Sequence, residues 1–371
     1  MGQFRRKLRT VYHLHILLFI VVIMTPAVRL SADADKGESS PVGRQSAALT
    51  HSTLAHQFVL FGGTDGYSTF DSTWVWRGAR WEELTLAKHP GPRIGSAAAY
   101  DSTHHEVVLF GGEDQRSHQT VSTPWAVVIT NPLSGPKDYS LVCYRDTWIW
   151  NGQDWIQETS PHGPPGRSGH AMAYDAARKQ IVLFGGHDQN GELNDTWVWD
   201  GSDWTIMHPR NIPPARFWHA MGYDPTRQEI VMFGGKGKAS HGHTFDDTWI
   251  WNGSDWTKAD LSGDSPEARS QPGMDYDPVQ KRLLLISGTV WNSAGRGSNA
   301  NDTWAWDGNR WKRLPDTEFE LIYDPSTFNP KDMSRALAIN TGTPCLWVPK
   351  PLKARRPGTV GVEGTPGDEQ Q

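Results

Sequence analysis

At 371 residues and a formal charge of −5, the chain carries no electrostatic footprint for nucleic acid. Its two cysteines, Cys143 and Cys345, are too few for a disulfide framework. The 37 glycines and 25 prolines interrupt short apolar runs, which excludes a helical protein and points to an all-β fold.

In chain order, the first feature reads as an export signal. Arg5, Arg6, Lys7 and Arg9 precede a continuous apolar run at residues 16–24, which Pro26 breaks. The run is short for a bilayer-spanning helix, which needs roughly 20 apolar residues. We expect residues 1–32 to be a cleaved signal peptide, with an uncleaved membrane anchor as the alternative. Cleavage would remove five cations and no acid, leaving a charge of about −10. Residues 33–41 read as a polar linker.

The remaining chain repeats itself. An apolar run ending in glycine recurs at residues 58–63 (FVLFGG), 107–112 (VVLFGG), 181–186 (IVLFGG) and 230–235 (IVMFGG), with a divergent copy at 283–288 (LLLISG). Gly63 to Gly112 and Gly186 to Gly235 are both 49 positions apart. Gly112 to Gly186 is 74, so the second unit carries an insertion within residues 116–143. After each run comes a tryptophan triplet, cleanest at residues 194–204 (NDTWVWDGSDW). Five such triplets account for 15 of the 19 tryptophans.

Each unit divides into four strand signals. In the third unit these are GHAMAY at 169–174, IVLF at 181–184, TWVW at 196–199 and the strand that begins at Trp204. Asp-Gly or Asn-Gly separates the last two strands in four units, the strongest short hairpin signal, because both turn residues must reach positive φ. The first strands are small (SAAAY, HAMAY, HAMGY) and the last two carry the indoles. That gradient suits sheets converging on an axis and diverging outward, with Trp197 and Trp199 on one face of their strand. Five complete units cover about residues 42–90, 91–160, 161–212, 213–265 and 266–315. A degenerate sixth would use 319–324 as its first strand, 335–342 as its second and 345–348 as its third. Residues 349–371 read as a disordered tail.

The order R-x-G-H-A-M-x-Y-D, then FGG, then NDTWxW, then DGxxW resembles the kelch repeat, in a form similar to exported, galactose-oxidase-like propellers. The resemblance covers residues 42–348. It implies a kelch-type β-propeller of four-stranded blades, five clear repeats plus a degenerate sixth. It also implies that ligands meet the face formed by the loop after Gly-Gly and the loop leading into the next inner strand.

On that reading, Arg44, Arg93, Arg167, Arg216 and Arg269 would ring the channel mouth and suit acidic ligands. The other reading is that each ties its blade to a neighbour. Trp218, with Phe217 beside it, departs from the third unit's Ser-Gly and could stack on a sugar or fill the mouth. His187, Asp188, His241 and His243 lie in loops of the same face, where they could bind a ligand or stand solvated. They could also approach a nitrogen and oxygen metal set, although no metal or cofactor is assigned. The insertion, with Trp125 at its centre, could fold over the mouth or pack on the surface. The acids before Thr-Trp (Asp146, Asp195, Asp247, Asp302) and at the first turns (Asp101, Asp175, Asp224, Asp277, Asp324) are read as structural.

The expected function is an exported binding module for a protein or carbohydrate, monomeric, with a membrane contact only if the leader persists. The alternative is a carbohydrate-active enzyme on the same scaffold. A galactose-oxidase-type copper site does not map onto these residues. A metal-free epimerase using channel arginines and histidines stays open.

Overall fold

A computed structural model describes residues 41, 44–52, 57–76, 81–117, 126–130, 139–237, 243–278, 280–292, 295–315, 319–322, 337–341 and 343–349. The expected leader, nearly all of the linker and tail, Trp125 and His241 lie outside them. Among the described residues every element is a strand, and no helix is long and apolar enough to cross a membrane.

Five antiparallel sheets of four strands follow one another, each paired in sequence order. In the third, Ala171–Asp175 pairs with Gln180–Phe184, which pairs with Thr196–Trp199, which pairs with Trp204–Met207. The second sheet has the same plan. Its second and third strands, Glu106–Phe110 and Thr147–Trp150, are separated by the insertion but pair directly. The five first strands, Ala48–Ser52, Ala97–Asp101, Ala171–Asp175, Ala220–Asp224 and Gly273–Asp277, pack each against the next. They are the inner strands of a radial array, and their small residues allow that approach. The fold is an all-β propeller.

The apolar core lies between blades. Between the second and third it joins Val108, Phe110 and Ile149 to Met172, Ile181, Leu183, Trp199 and Trp204. The other interfaces repeat this set. Trp199, Trp251 and Trp306 are fully buried and meet Trp204, Trp256 and Trp311 of their own blades at 5.2–5.4 Å between ring centroids. In the second to fifth blades the outer-strand indole also donates to the preceding blade. Trp155, Trp204, Trp256 and Trp311 give their Nε1–H to the Oγ1 of Thr73, Thr147, Thr196 and Thr248, all at 2.9 Å. One hydrogen bond per interface thus fixes the register of neighbouring sheets.

The sixth unit differs from expectation. It forms a three-stranded sheet, but Thr343–Pro349 is central, flanked by Phe319–Ile322 and Leu337–Thr341. The strand against the fifth blade's inner strand is Leu337–Thr341, not the 319–324 segment. Residues 337–341 and 343–349 are separated by a single glycine, so they pair as neighbours and the first segment takes the free side. The sixth unit carries no tryptophan triplet, and the fifth blade's Thr303 Oγ1, counterpart of the four indole acceptors, is buried without a partner. Leu284, Ile286 and Ala305 on one side of the gap, and Phe58, Leu60 and Trp74 on the other, are nevertheless buried.

Candidate functional site

The five arginines stand at the start of the inner strands, as their spacing required, but they do not line a channel mouth. Each is at most 2 % exposed. Arg93 donates Nη1 and Nη2 to Asp146 Oδ1 and Oδ2 at 2.7 and 3.0 Å, and Nη1 also reaches the Gly111 carbonyl at 2.9 Å. Arg167 grips Asp195 at 2.6 and 2.7 Å, Arg216 grips Asp247 at 2.6 and 3.0 Å, and Arg269 grips Asp302 at 2.5 and 3.0 Å. The same carboxylates accept the indole N–H two residues on, from Trp148, Trp197, Trp249 and Trp304. Burial works to raise the Asp195, Asp247 and Asp302 pKa values, but hydrogen bonds and charge from the arginines overcome it and hold them below the usual range.

The arginine backbone completes a stitch between blades. The Arg216 carbonyl accepts from Gly186 N–H and its own N–H donates to Leu193 O, both in the third blade, while its side chain holds the fourth. The expectation of a ligand-facing arginine ring is therefore corrected, because these guanidinium groups are spent on buried carboxylates. The first blade has Ser72 at the aspartate position. Arg44 donates to Ser72 Oγ at 2.9 Å, and burial pushes its pKa down to about 10, against the raising charges of Glu83 and Asp65.

Two residues after each arginine the backbone turns left-handed, at Ser46 (φ 54°), Gly95 (65°), Gly169 (66°), Trp218 (55°) and Gln271 (54°). These residues are chained around the axis. Gly95 N donates to Ser46 O, Gly169 N to Gly95 O, Trp218 N to Gly169 O and Gln271 N to Trp218 O, at 2.7–3.0 Å. A tryptophan in this conformation is strained, of the order of 1–3 kcal/mol. The Trp218 indole lies against Gly169, where an added Cβ would stand 3.0 Å from its Cδ1. Together these residues frame an axial cavity of about 90 Å³.

The next residue of each repeat, Ala47, Ser96, His170, His219 or Pro272, stands one step deeper, and all but Ala47 line the cavity. Ser96 Oγ and both ring nitrogens of His170 and of His219 are buried and make no hydrogen bond. Desolvation, then the Arg167 charge, drives the His170 pKa well below its ordinary value. Desolvation, then the Arg216 charge, pushes His219 down to about 3, against a small raising by the Phe184 backbone. Both imidazoles are neutral at pH 7.

Around the cavity the loops after Gly-Gly form a second tier. Glu113, His187 and Lys236 bridge to Ile94, Ser168 and Phe217 at the neighbouring strand starts. The insertion extends this tier as a three-stranded sheet of Glu113–Ser117, Tyr139–Tyr144 and Ala126–Thr130. His187 meets the Phe217 ring at 5.0 Å and stands 3.7 Å from Glu113. Burial pushes the Glu113 carboxyl up to about 7 and lowers the His187 pKa, so this contact is not a fixed ion pair. Lys236 Nζ lies 3.2 Å from the centre of the Trp291 ring and 5.7 Å from that of Trp218, and Trp291 donates to Ser270 Oγ. Tyr67 is 92 % exposed, held outward by a turn in which Asp65 accepts from Tyr67 N and Ser68 N.

The expected loop set is dispersed. Asp188 caps its own turn through Asn190 N, and His243 is exposed and stacks edge-on against Phe245 at 4.7 Å. Among the described residues, the one group of three or more His, Cys, Asp or Glu side chains whose ligand atoms all lie within 4.8 Å of one another is Asp101, His104 and Glu106. It lies in the hairpin after an inner strand, away from the mouth. There His104 bonds Asp101 as Arg178 and Arg227 bond Asp175 and Asp224 in the next two blades, so the pattern is a turn cap. His170, His219 and Gln271 were not singled out from sequence. The available signal was the loss of glycine at the left-handed position in Ser46, Trp218 and Gln271.

A family model described as the KLHDC2/KLHL20/DRC7 Kelch-repeats domain matches residues 47–210. That span takes in the first three blades, and the fourth and fifth repeat their strands, arginine–aspartate grips and indole–threonine bonds. Residues 47–210 match this kelch-repeat family, and the five blades together form a kelch-type β-propeller.

Proposed function

We propose that this propeller binds a protein partner through its mouth face. Kelch repeats generally mediate protein–protein interaction. The observation that carries the reading is where the blades differ. Tyr67, Phe217, Trp218, Lys236 and Trp291 occupy corresponding loops or strand starts on one face, partly or fully exposed, while the repeated residues are buried. Tryptophan and tyrosine, which supply three of these five residues, dominate binding hot spots. The test is Tyr67→Ala with Trp291→Ala, measured against a purified partner. Affinity should fall at least tenfold while Tm holds. Unchanged affinity would refute this face.

The half-buried indoles of Trp218 and Trp291 also favour a second reading, stacking on a sugar ring. A glycan array probed with the wild-type chain and with Trp291→Ala decides it. We further propose that the chain is exported, on the strength of the basic residues before the apolar run at 16–24. Fractionation of a C-terminally tagged protein tests this, and recovery of an unprocessed chain in the cytoplasm would refute it.

A further inference from the structure

We propose that residues 32–35, which lie outside the described residues, add to the outer edge of the sixth unit as its fourth strand and so close the ring. The surface is the open edge of Phe319–Ile322, and its occupant is an extended segment of this same chain. The inference is independent of the mouth residues and of what they dock. Cleavage after Ala32 would still leave residues 33–35 to pair.

Five sheets have four strands and the sixth has three. Among the described residues, Phe319–Ile322 pairs on one side only and lies third from the axis. It and the inner strand Leu337–Thr341 are both antiparallel to Thr343–Pro349, so the two run the same way, as first and third strands do in the other blades. Such an edge presents a row of backbone N–H and C=O groups that a further antiparallel strand can pair.

The spacing before the arginines says which segment belongs there. Wherever one blade passes to the next, a proline stands three residues before the arginine, as Pro90, Pro164, Pro213 and Pro266 precede Arg93, Arg167, Arg216 and Arg269. The tryptophan that opens the preceding fourth strand stands 12 positions before the arginine at Trp81, Trp155 and Trp204, and 13 at Trp256. Arg44 has no blade before it in the sequence, yet Pro41 holds the same place. Counting back 12 positions from Arg44 reaches Ala32, so residues 32–35 stand where a fourth strand stands. Around the ring, the blade before the first is the sixth.

Little beyond backbone pairing is asked of such a strand. After the opening tryptophan, the five fourth strands hold no buried residue. The polar sequence ADAD is compatible with that position. Ala32 falls at the place of the indole, in keeping with Thr303 Oγ1 of the fifth blade making no hydrogen bond.

In the other blades the first residue of the fourth strand pairs with the last of the third, as Trp204 does with Trp199. The same register sets Ala34 opposite Glu320. Antiparallel partners stand about 4.5–5.5 Å apart at Cα, within reach of a disulfide. The experiment uses the full chain carrying Ala34→Cys and Glu320→Cys, oxidised mildly and mapped by mass spectrometry after proteolysis. An intrachain 34–320 disulfide should form in most chains. None should form when Ala34→Cys is combined with Ile156→Cys on the outer strand of the second blade. A second measurement does not depend on oxidation. Ala34→Pro, which removes an N–H from the pairing, should speed amide exchange at residues 319–322 several-fold, and Glu38→Pro in the connection should not. No 34–320 disulfide, one found only between two chains, equal crosslinking to Ile156→Cys, or unchanged exchange in Ala34→Pro would each overturn the proposal.

Discussion

The aspartate before Thr-Trp is the residue on which each repeat turns. One carboxylate answers two guanidinium hydrogen bonds and an indole N–H, and the arginine it holds is sealed from water. Asp146→Ala would leave Arg93, 1 % exposed, without its counter-charge. Removing one partner of a buried pair costs about 3–5 kcal/mol, and urea denaturation should show a loss of that size. The first blade offers the reverse test. Ser72→Asp should give Arg44 the carboxylate the other blades have and raise stability by about 1 kcal/mol or more. A fall in Tm would contradict the hub. The recurrence of this aspartate was visible in the sequence, and so was that of the arginine. Their pairing was not, because spacing locates a strand start but not the direction of a long side chain. For the same reason the arginines read as a ring of ligand groups. Trp218 was legible as a departure from the repeat. The histidines next to it and in the third blade were hidden inside a motif common to both units.

At the scale of the element, the blade holds its neighbour by buried indoles and one threonine. Trp199→Ala, at a fully buried site, should cost about 3–5 kcal/mol. Thr147→Val keeps the shape but strands the Trp204 N–H, which should cost about 1–3 kcal/mol. A cycle with Trp204→Phe should recover most of that loss, and full additivity would mean the bond contributes nothing. The strands themselves were readable from sequence. Apolar runs, small inner strands and Asn-Gly or Asp-Gly all recur, but each turn is a four-residue loop in which only the glycine (Gly152, Gly201, Gly253 or Gly308, φ near 100°) is left-handed, not a two-residue turn with both residues at positive φ. The sixth unit was legible as three strands but not in its order. Strand order there depends on which segments meet across the closing gap, and no repeated tryptophan marks it.

For the whole molecule, the buried groups at the axis set a pH dependence. Folding depresses the His219 pKa from 6.5 to about 3. The unfolded chain therefore binds a proton that the folded chain refuses, and this contribution to stability, full above pH 6.5, is lost as pH falls toward 3. Each pH unit in that window is worth about 1.4 kcal/mol. Glu113 runs the other way. Its pKa rises from 4.5 to about 7, so folding is penalised as pH climbs through that range. Glu113 opposes His219, and the similarly depressed His170, only where the windows overlap, and variants separate the contributions. His219→Phe should gain on the wild type as pH drops below 6.5, and Glu113→Gln should gain as pH rises above 4.5. Parallel pH profiles of variant and wild type would contradict the burial of these groups.

The central claim is that repeated residues build the scaffold while the mouth loops, where blades differ, meet the partner. Site-specific photo-crosslinking in cells that make the protein tests it directly. A crosslinker replaces Tyr67 or Trp291 on the mouth, or the outer-strand residues Ile156 and Ile206, which are 49 % and 41 % exposed. The account predicts one partner joined from the mouth positions and absent from the outer strands. The same partner captured from Ile156 or Ile206, and not from Tyr67 or Trp291, would contradict it.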